Sequence, residues 1–135
     1  MQERYLFKAK RIKDGQWVEG AFYIEPYTDR CYIIQWNSTG LGYNEFIEVD
    51  GETICQCTGL KDKNGNMIWE NDIVKHYNDE AHPESYCTGT VLWDENYAGF
   101  YRTDNEYGFS KPRINSRCCY EVIGNTFDNS EMLEE

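Results

Sequence analysis

Apolar and polar residues alternate along much of this chain, and turn-forming residues interrupt the alternation at short intervals. That pattern predicts strands rather than helices. Tyr5, Phe7 and Ala9 alternate with Lys8 and Lys10, Asp14-Gly15 offers a tight turn, and Trp17 to Ile24 returns; residues 4–24 therefore read as a β-hairpin. Cys31 to Trp36 is a short, nearly continuous apolar strand, and Asn37 to Asn44, with Gly40 and Gly42, is a flexible loop. Phe46 to Val49 leads into a second Asp-Gly turn at Asp50-Gly51, and residues 53–60 form another strand that ends at Gly59. The polar run Lys61 to Asn66 contains Asn64-Gly65, a pair that tolerates positive φ and so predicts a turn.

Extended structure resumes at Met67-Ile68-Trp69 and Asp72 to Lys75. From His76 to Tyr86 the chain is polar and acidic, with one proline, and is expected to be a mobile loop. Gly89 to Trp93 is a strong strand that pairs with Gly99 to Arg102 across Asp94-Glu95-Asn96. Tyr107-Gly108-Phe109 is a further short extended piece, Tyr120 to Asn125 closes the series, and the tail from Asp128 to Leu133 predicts one helical turn capped by Asn129 or Ser130. The fold class expected is mainly β: an N-terminal hairpin and small sheet over residues 1–58, packed with an SH3-like small β-barrel over residues 59–135, or both as one continuous domain.

Composition sharpens this picture. Aromatic residues make up 16% of the chain, with 11 Tyr, 6 Phe and 4 Trp, while mean hydropathy is −0.77. A few large rings carry enough apolar area to build a core in a polar chain, and they favour strands. The net charge of −11 repels other polyanions and disfavours a nucleic-acid partner. Arg4, Lys8, Lys10, Arg11 and Lys13 are the nearest thing to a basic stripe, but Lys8 and Lys10 share one strand face while Arg11 faces the other way. No membrane span or signal sequence is visible, which leads to an expected cytoplasmic location with reduced thiols.

Six cysteines and two histidines raise the question of zinc. Structural zinc sites draw two ligands from one tight turn, whereas here the pairs are Cys55-x-Cys57 on a strand and adjacent Cys118-Cys119. Buried, reduced core cysteines account for Cys55 and Cys57 without a metal. His76, His82 and Cys87 around the acidic loop offer a loose site or a thiol–imidazole pair, but nothing in their surroundings in the sequence activates a nucleophile. Asp79, Glu80 and Glu84 read as a solvated loop. No catalytic, cofactor or metal residue is therefore assigned, and the chain is expected not to be an enzyme.

The aromatics are the better lead, because they are too many for one small core. Trp93, Tyr97, Phe100, Tyr101 and Tyr107 form the candidate protein-binding surface, in a region that also carries Asp94, Asp104 and Glu106. The rings serve either subunit packing, a site for another protein, or stacking of single-stranded nucleic acid, which would need a basic groove alongside.

The run Thr58-Gly59-Leu60-Lys61-Asp62-Lys63-Asn64-Gly65-Asn66-Met67-Ile68-Trp69-Glu70-Asn71-Asp72-Ile73-Val74 resembles the signature of the YopX family, small proteins encoded by bacteriophages and prophages. Tyr5 to Arg11 and Gly15 to Gly20 resemble the family's opening hairpin; Tyr120 to Asn125, Asp128-Asn129 and Met132-Leu133 resemble its closing strand and tail. Asn71 stands where the family usually has glycine before Asp-Ile-Val, and Asn tolerates the same positive φ. The resemblance implies a mainly β, self-associating protein of phage or mobile-element origin. It carries over no activity and no catalytic residue. The function expected is a non-enzymatic, homo-oligomeric binding module for a host or phage protein in the bacterial cytoplasm.

Overall fold

The computed structural model describes residues 3–36, 44–77, 81–103, 112–114 and 120–133. It is mainly β and divides into two compact units, Met1–Cys57 and Thr58–Glu135. Of the loop expected at Asn37–Asn44, residues 37–43 lie outside the described residues and Asn44 opens a strand; the Tyr107–Phe109 piece and Cys118-Cys119 also lie outside them.

In the first unit an antiparallel meander runs through β1 (Phe7–Lys10), β2 (Trp17–Ile24), β3 (Cys31–Trp36) and β4 (Asn44–Val49), with the opening of β5 (Cys55–Lys61) against β1. Alternation decides which face each residue takes. Ala9 and Val18 stand opposite each other, as do Phe22 and Ile33, and Ile33 and Ile47. These residues and Val49 form the core, in which Ile33 and Ala9 are fully buried. Burying a side chain such as Ile33 stabilises by about 1.5–3 kcal/mol. Gly15 forms the hairpin turn at φ 71°, closed by an Arg11 N–H to Gln16 carbonyl bond of 2.9 Å. The second Asp-Gly pair does something different from the first. Asp50 accepts from the Glu52 N–H (3.0 Å) and caps a short 3₁₀ turn, Gly51–Thr53, so β5 starts at Cys55 rather than at Thr53.

The other face of this sheet is aromatic and exposed. Tyr23 and Tyr32 pair across β2 and β3, and Phe46 sits beside both, with ring centroids 6.3–6.5 Å apart. Further along, Lys8 and Lys10 lie over the Trp17 ring with Nζ at 4.7 and 5.4 Å from its centroid. Arg11 points elsewhere and pairs with Asp14.

In the second unit a four-stranded antiparallel sheet has the order β10-β7-β8-β9, built from β7 (Asp72–Tyr77), β8 (Tyr86–Asp94), β9 (Gly99–Arg102) and β10 (Tyr120–Asn125). The later part of β5 lies beside β6 (Met67–Trp69). Among the described residues the four-stranded sheet is open: β9 and β10 are its two edges and do not pair. Its core is Ile68, Val74, Val91, Ile114 and Tyr120. β7 and β8 run further than expected, through Tyr77 and from Tyr86, and shorten the acidic loop. The Tyr77 and Tyr86 rings pair across the strands at 6.0 Å, and Lys75 lies over Tyr86 at 4.5 Å, contacts that favour continued pairing.

Three buried carboxylates hold turns of this unit: Asp62, Asp72 and, in the β8–β9 hairpin, Asp94. Asp62, 3% exposed, accepts from the N–H groups of Asn64 and Asn66 at 2.9 and 2.8 Å and from that of Val122 at 3.0 Å. Asp72 accepts from the Trp69 N–H at 2.8 Å across the turn that contains Asn71, whose φ is 71°. The closing helical turn is a 3₁₀ turn, Ser130–Leu133. Asn129 precedes it, but its side-chain oxygen reaches back to the Asn125 N–H at 3.1 Å instead of capping forward.

Candidate functional site

The site is built on the β8–β9 hairpin. Register pairs Val91 with Arg102, Leu92 with Tyr101, Trp93 with Phe100 and Asp94 with Gly99. Trp93 and Phe100 therefore share one face, their centroids 5.0 Å apart and nearly perpendicular, while Tyr101 projects from the other face. Phe100 packs on the core and Trp93, at the margin, is 41% exposed. Tyr97 sits in the turn, 68% exposed, followed by Ala98 at φ 51°. Asp94 is buried, and its Oδ1 accepts the Asn96 N–H at 2.9 Å, which fixes the turn.

The β9 edge is covered in part by Pro112-Arg113-Ile114. Arg102 donates its N–H to the Pro112 carbonyl (3.0 Å), and Ile114 donates to that of Phe100 (3.4 Å). Proline suits this place because an edge strand has no outer partner for an N–H. Ile114 turns into the core and Arg113, one residue earlier, turns out. Its guanidinium lies 5.7 Å from the Tyr97 ring centroid and donates weakly to the Tyr97 carbonyl at 3.5 Å. Asp94, Tyr97, Gly99, Phe100, Tyr101 and Arg113 line a cleft of about 240 Å³.

Of the surface named from sequence, Tyr97, Phe100 and Tyr101 thus meet at this cleft, Trp93 packs edge-to-face on Phe100 without lining it, and Tyr107 lies outside the described residues. Arg113 was missed, although the Pro-x-Ile spacing, with proline on an edge and isoleucine pointing inward, leaves the intervening residue outward.

A second group lies on the outer face of the same sheet. The Tyr77 hydroxyl donates to Glu121 Oε2 at 2.6 Å, Lys63 Nζ is 3.4 Å from the same oxygen, and Lys63 lies over the Tyr77 ring at 4.3 Å. The hydrogen bond from Tyr77, with the nearby Lys63 charge, holds the Glu121 carboxyl below its usual range. At Asp62, burial opposes the charged form, but the hydrogen bonds from Val122, Asn66 and Asn64 outweigh it and its pKa is lowered.

The cysteines take other roles. Cys55 and Cys57 share one face of β5 and are buried. Register places His76 between Tyr120 and Cys87, with the imidazole 5.1 Å from the Tyr120 ring. That row brings thiol and imidazole together as neighbours, while His82 stands apart in the connecting loop, accepting the Ser85 N–H through its carbonyl. Among the described residues no three His, Cys, Asp or Glu side chains converge on a metal position.

A search of curated proteins finds no match. Among solved structures, the crystal structure of protein EF1440 from Enterococcus faecalis is similar at a TM-score of 0.55 and 25% identity, over 94% of this chain and 96% of that one. Among the described residues no helix is long and apolar enough to cross a membrane. The model of the YopX protein family matches residues 6–134, nearly the whole length, and the chain belongs to the YopX family.

Proposed function

We propose that this YopX-family chain is a non-enzymatic, self-associating module, of phage or prophage origin, that binds a host or phage protein in the bacterial cytoplasm. The observation that carries this reading is the β8–β9 hairpin, which presents Trp93 and Tyr97 to solvent beside a cleft lined by Phe100, Tyr101 and Arg113. Exposed Trp, Tyr and Arg side chains are the residues that dominate protein interfaces, and an aromatic surface beside the edge of a β-sheet suits an extended peptide. The exposed rings of Tyr23 and Phe46, with the half-buried Tyr32 between them, support self-association through the other unit. A tagged pull-down from nuclease-treated host lysate, with oligomeric mass measured on the same sample, tests both halves. A retained protein lost with Trp93→Ala/Tyr97→Ala supports the module, and a monomer that retains nothing overturns it.

A second reading, single-stranded nucleic-acid binding, is favoured by Lys63 over Tyr77 and Lys75 over Tyr86 on one sheet face. The Glu121 carboxylate within that group opposes it. Retention on single-stranded DNA or RNA at low salt supports this alternative, and no retention overturns it.

A further inference from the structure

We infer that the β8–β9 cleft takes an acidic side chain of a bound peptide, with its carboxylate on the Arg113 guanidinium and the neighbouring peptide residue against Tyr97 and Phe100. This inference rests on the protein-binding reading of the hairpin and specifies the chemistry of the partner. At about 240 Å³ the cleft is smaller than the roughly 300 Å³ at which small-molecule pockets begin, so it suits one side chain of a longer ligand. Its walls are three aromatic rings, with Gly99, the Asp94 carboxylate and one cation.

That cation is exposed and little used. Guanidinium has N–H donors in a planar fork that matches a carboxylate. Among the described residues Arg113 has no carboxylate partner, and its hydrogen bond to the Tyr97 carbonyl is long at 3.5 Å. The backbone bridge between Arg113 and Tyr101 fixes where the side chain leaves the edge, and the guanidinium lies 5.7 Å from the Tyr97 ring centroid. Gly99 lies opposite, close enough that a Cβ there would meet Arg113 Nη1 at an ordinary 3.5 Å. Asp94, the acidic group of the cleft, is buried and turned into the Asn96 N–H. The net charge of −11 draws cationic segments from a distance, whereas the contact chemistry at the cleft selects an anion. The two tendencies predict opposite ligands, which makes the inference testable.

The experiment titrates the full chain against fluorescein-labelled nonapeptides that carry one leucine or tyrosine next to Glu, Gln or Lys. The Glu series is expected to bind about tenfold more tightly than the Gln series. Arg113→Gln should erase that preference, Arg113→Glu should turn it toward Lys, and Arg113→Lys should keep Glu ahead of Lys. Equal binding of Glu and Gln peptides, weakened alike by Tyr97→Ala, would overturn the acidic partner and leave the aromatic binding site standing. Preference for Lys in the unaltered chain would also overturn it. Failure of every peptide to bind a chain with unaltered circular dichroism would remove the peptide-site reading itself.

Discussion

The two units solve the same packing problem with different materials. The first buries Ala9, Ile33 and Val49 between strands joined in sequence order, and its turns are set by Gly15 and by a solvent-exposed Asp50 cap. The second buries Ile68, Val74 and Val91 but also encloses carboxylates, with Asp62 and Asp72 each 3% exposed and each accepting backbone N–H groups. A buried charge is tolerated only where hydrogen bonds replace its water. The first unit therefore depends on apolar fit, whereas the second depends in addition on the ionised state of Asp62. The lesson is that an acidic composition need not be surface alone; here part of it is architecture.

The comparison is tested most severely by the apolar cores. Ile33→Ala should cost about 3–4 kcal/mol in the first unit and Ile68→Ala a similar amount in the second, measured by urea unfolding. Next comes the polar contrast. Asp62→Ala leaves three backbone donors without their charged acceptor and should cost about 3 kcal/mol, with amide exchange rising at Asn64, Asn66 and Val122. An effect below about 1 kcal/mol would break the distinction between the units.

Acid provides a third and smaller test. The folded-state pKa of Asp62 lies below its ordinary 3.8, so its contribution is present above that value and is lost as pH falls through the lower folded-state value. Unfolding followed by residue-specific NMR should show the second unit loosening with acid, and Asp62→Asn should remove that part of the pH dependence. Smallest of all is Asn71→Gly. Relief of the left-handed φ should raise stability by up to about 1 kcal/mol in thermal melts, and a loss of that size would mean that the Asn side chain holds the turn.

Much of this architecture is legible in the residues. Phe7-Lys8-Ala9-Lys10 gives its faces directly, and Ala9 is buried while both lysines lie over Trp17. Asn71 was expected to take a positive φ and does. Less legible was anything that depends on register or on distant partners. Counting aromatics groups Trp93, Phe100 and Tyr101 but cannot show that register sets Tyr101 on the opposite strand face from the other two, with Phe100 and Tyr101 both reaching the cleft. Asp62 looked like one more polar turn residue, because its decisive partner, Val122, is 60 positions away. Gly124 is another such case: a bulge between Val122 and Gly124 and the nearby Asn129 side chain define its place, and neither leaves a mark in the alternation.

The Asp62–Val122 hydrogen bond, with its companion from the Lys63 N–H to the Tyr120 carbonyl, also sets an order of events during synthesis. The first unit is a meander whose strands meet soon after each is made, so it is complete once Cys57 has left the ribosome. The second cannot close until β10 arrives to meet both β7 and the Asp62 turn, because loop closure over that span precedes its reward. Until then β7 has an empty side, and the turn that will receive Val122 waits with its carboxylate in water. A ribosome that stalls before Tyr120 would release a chain with one finished half and one sheet still open to any passing strand.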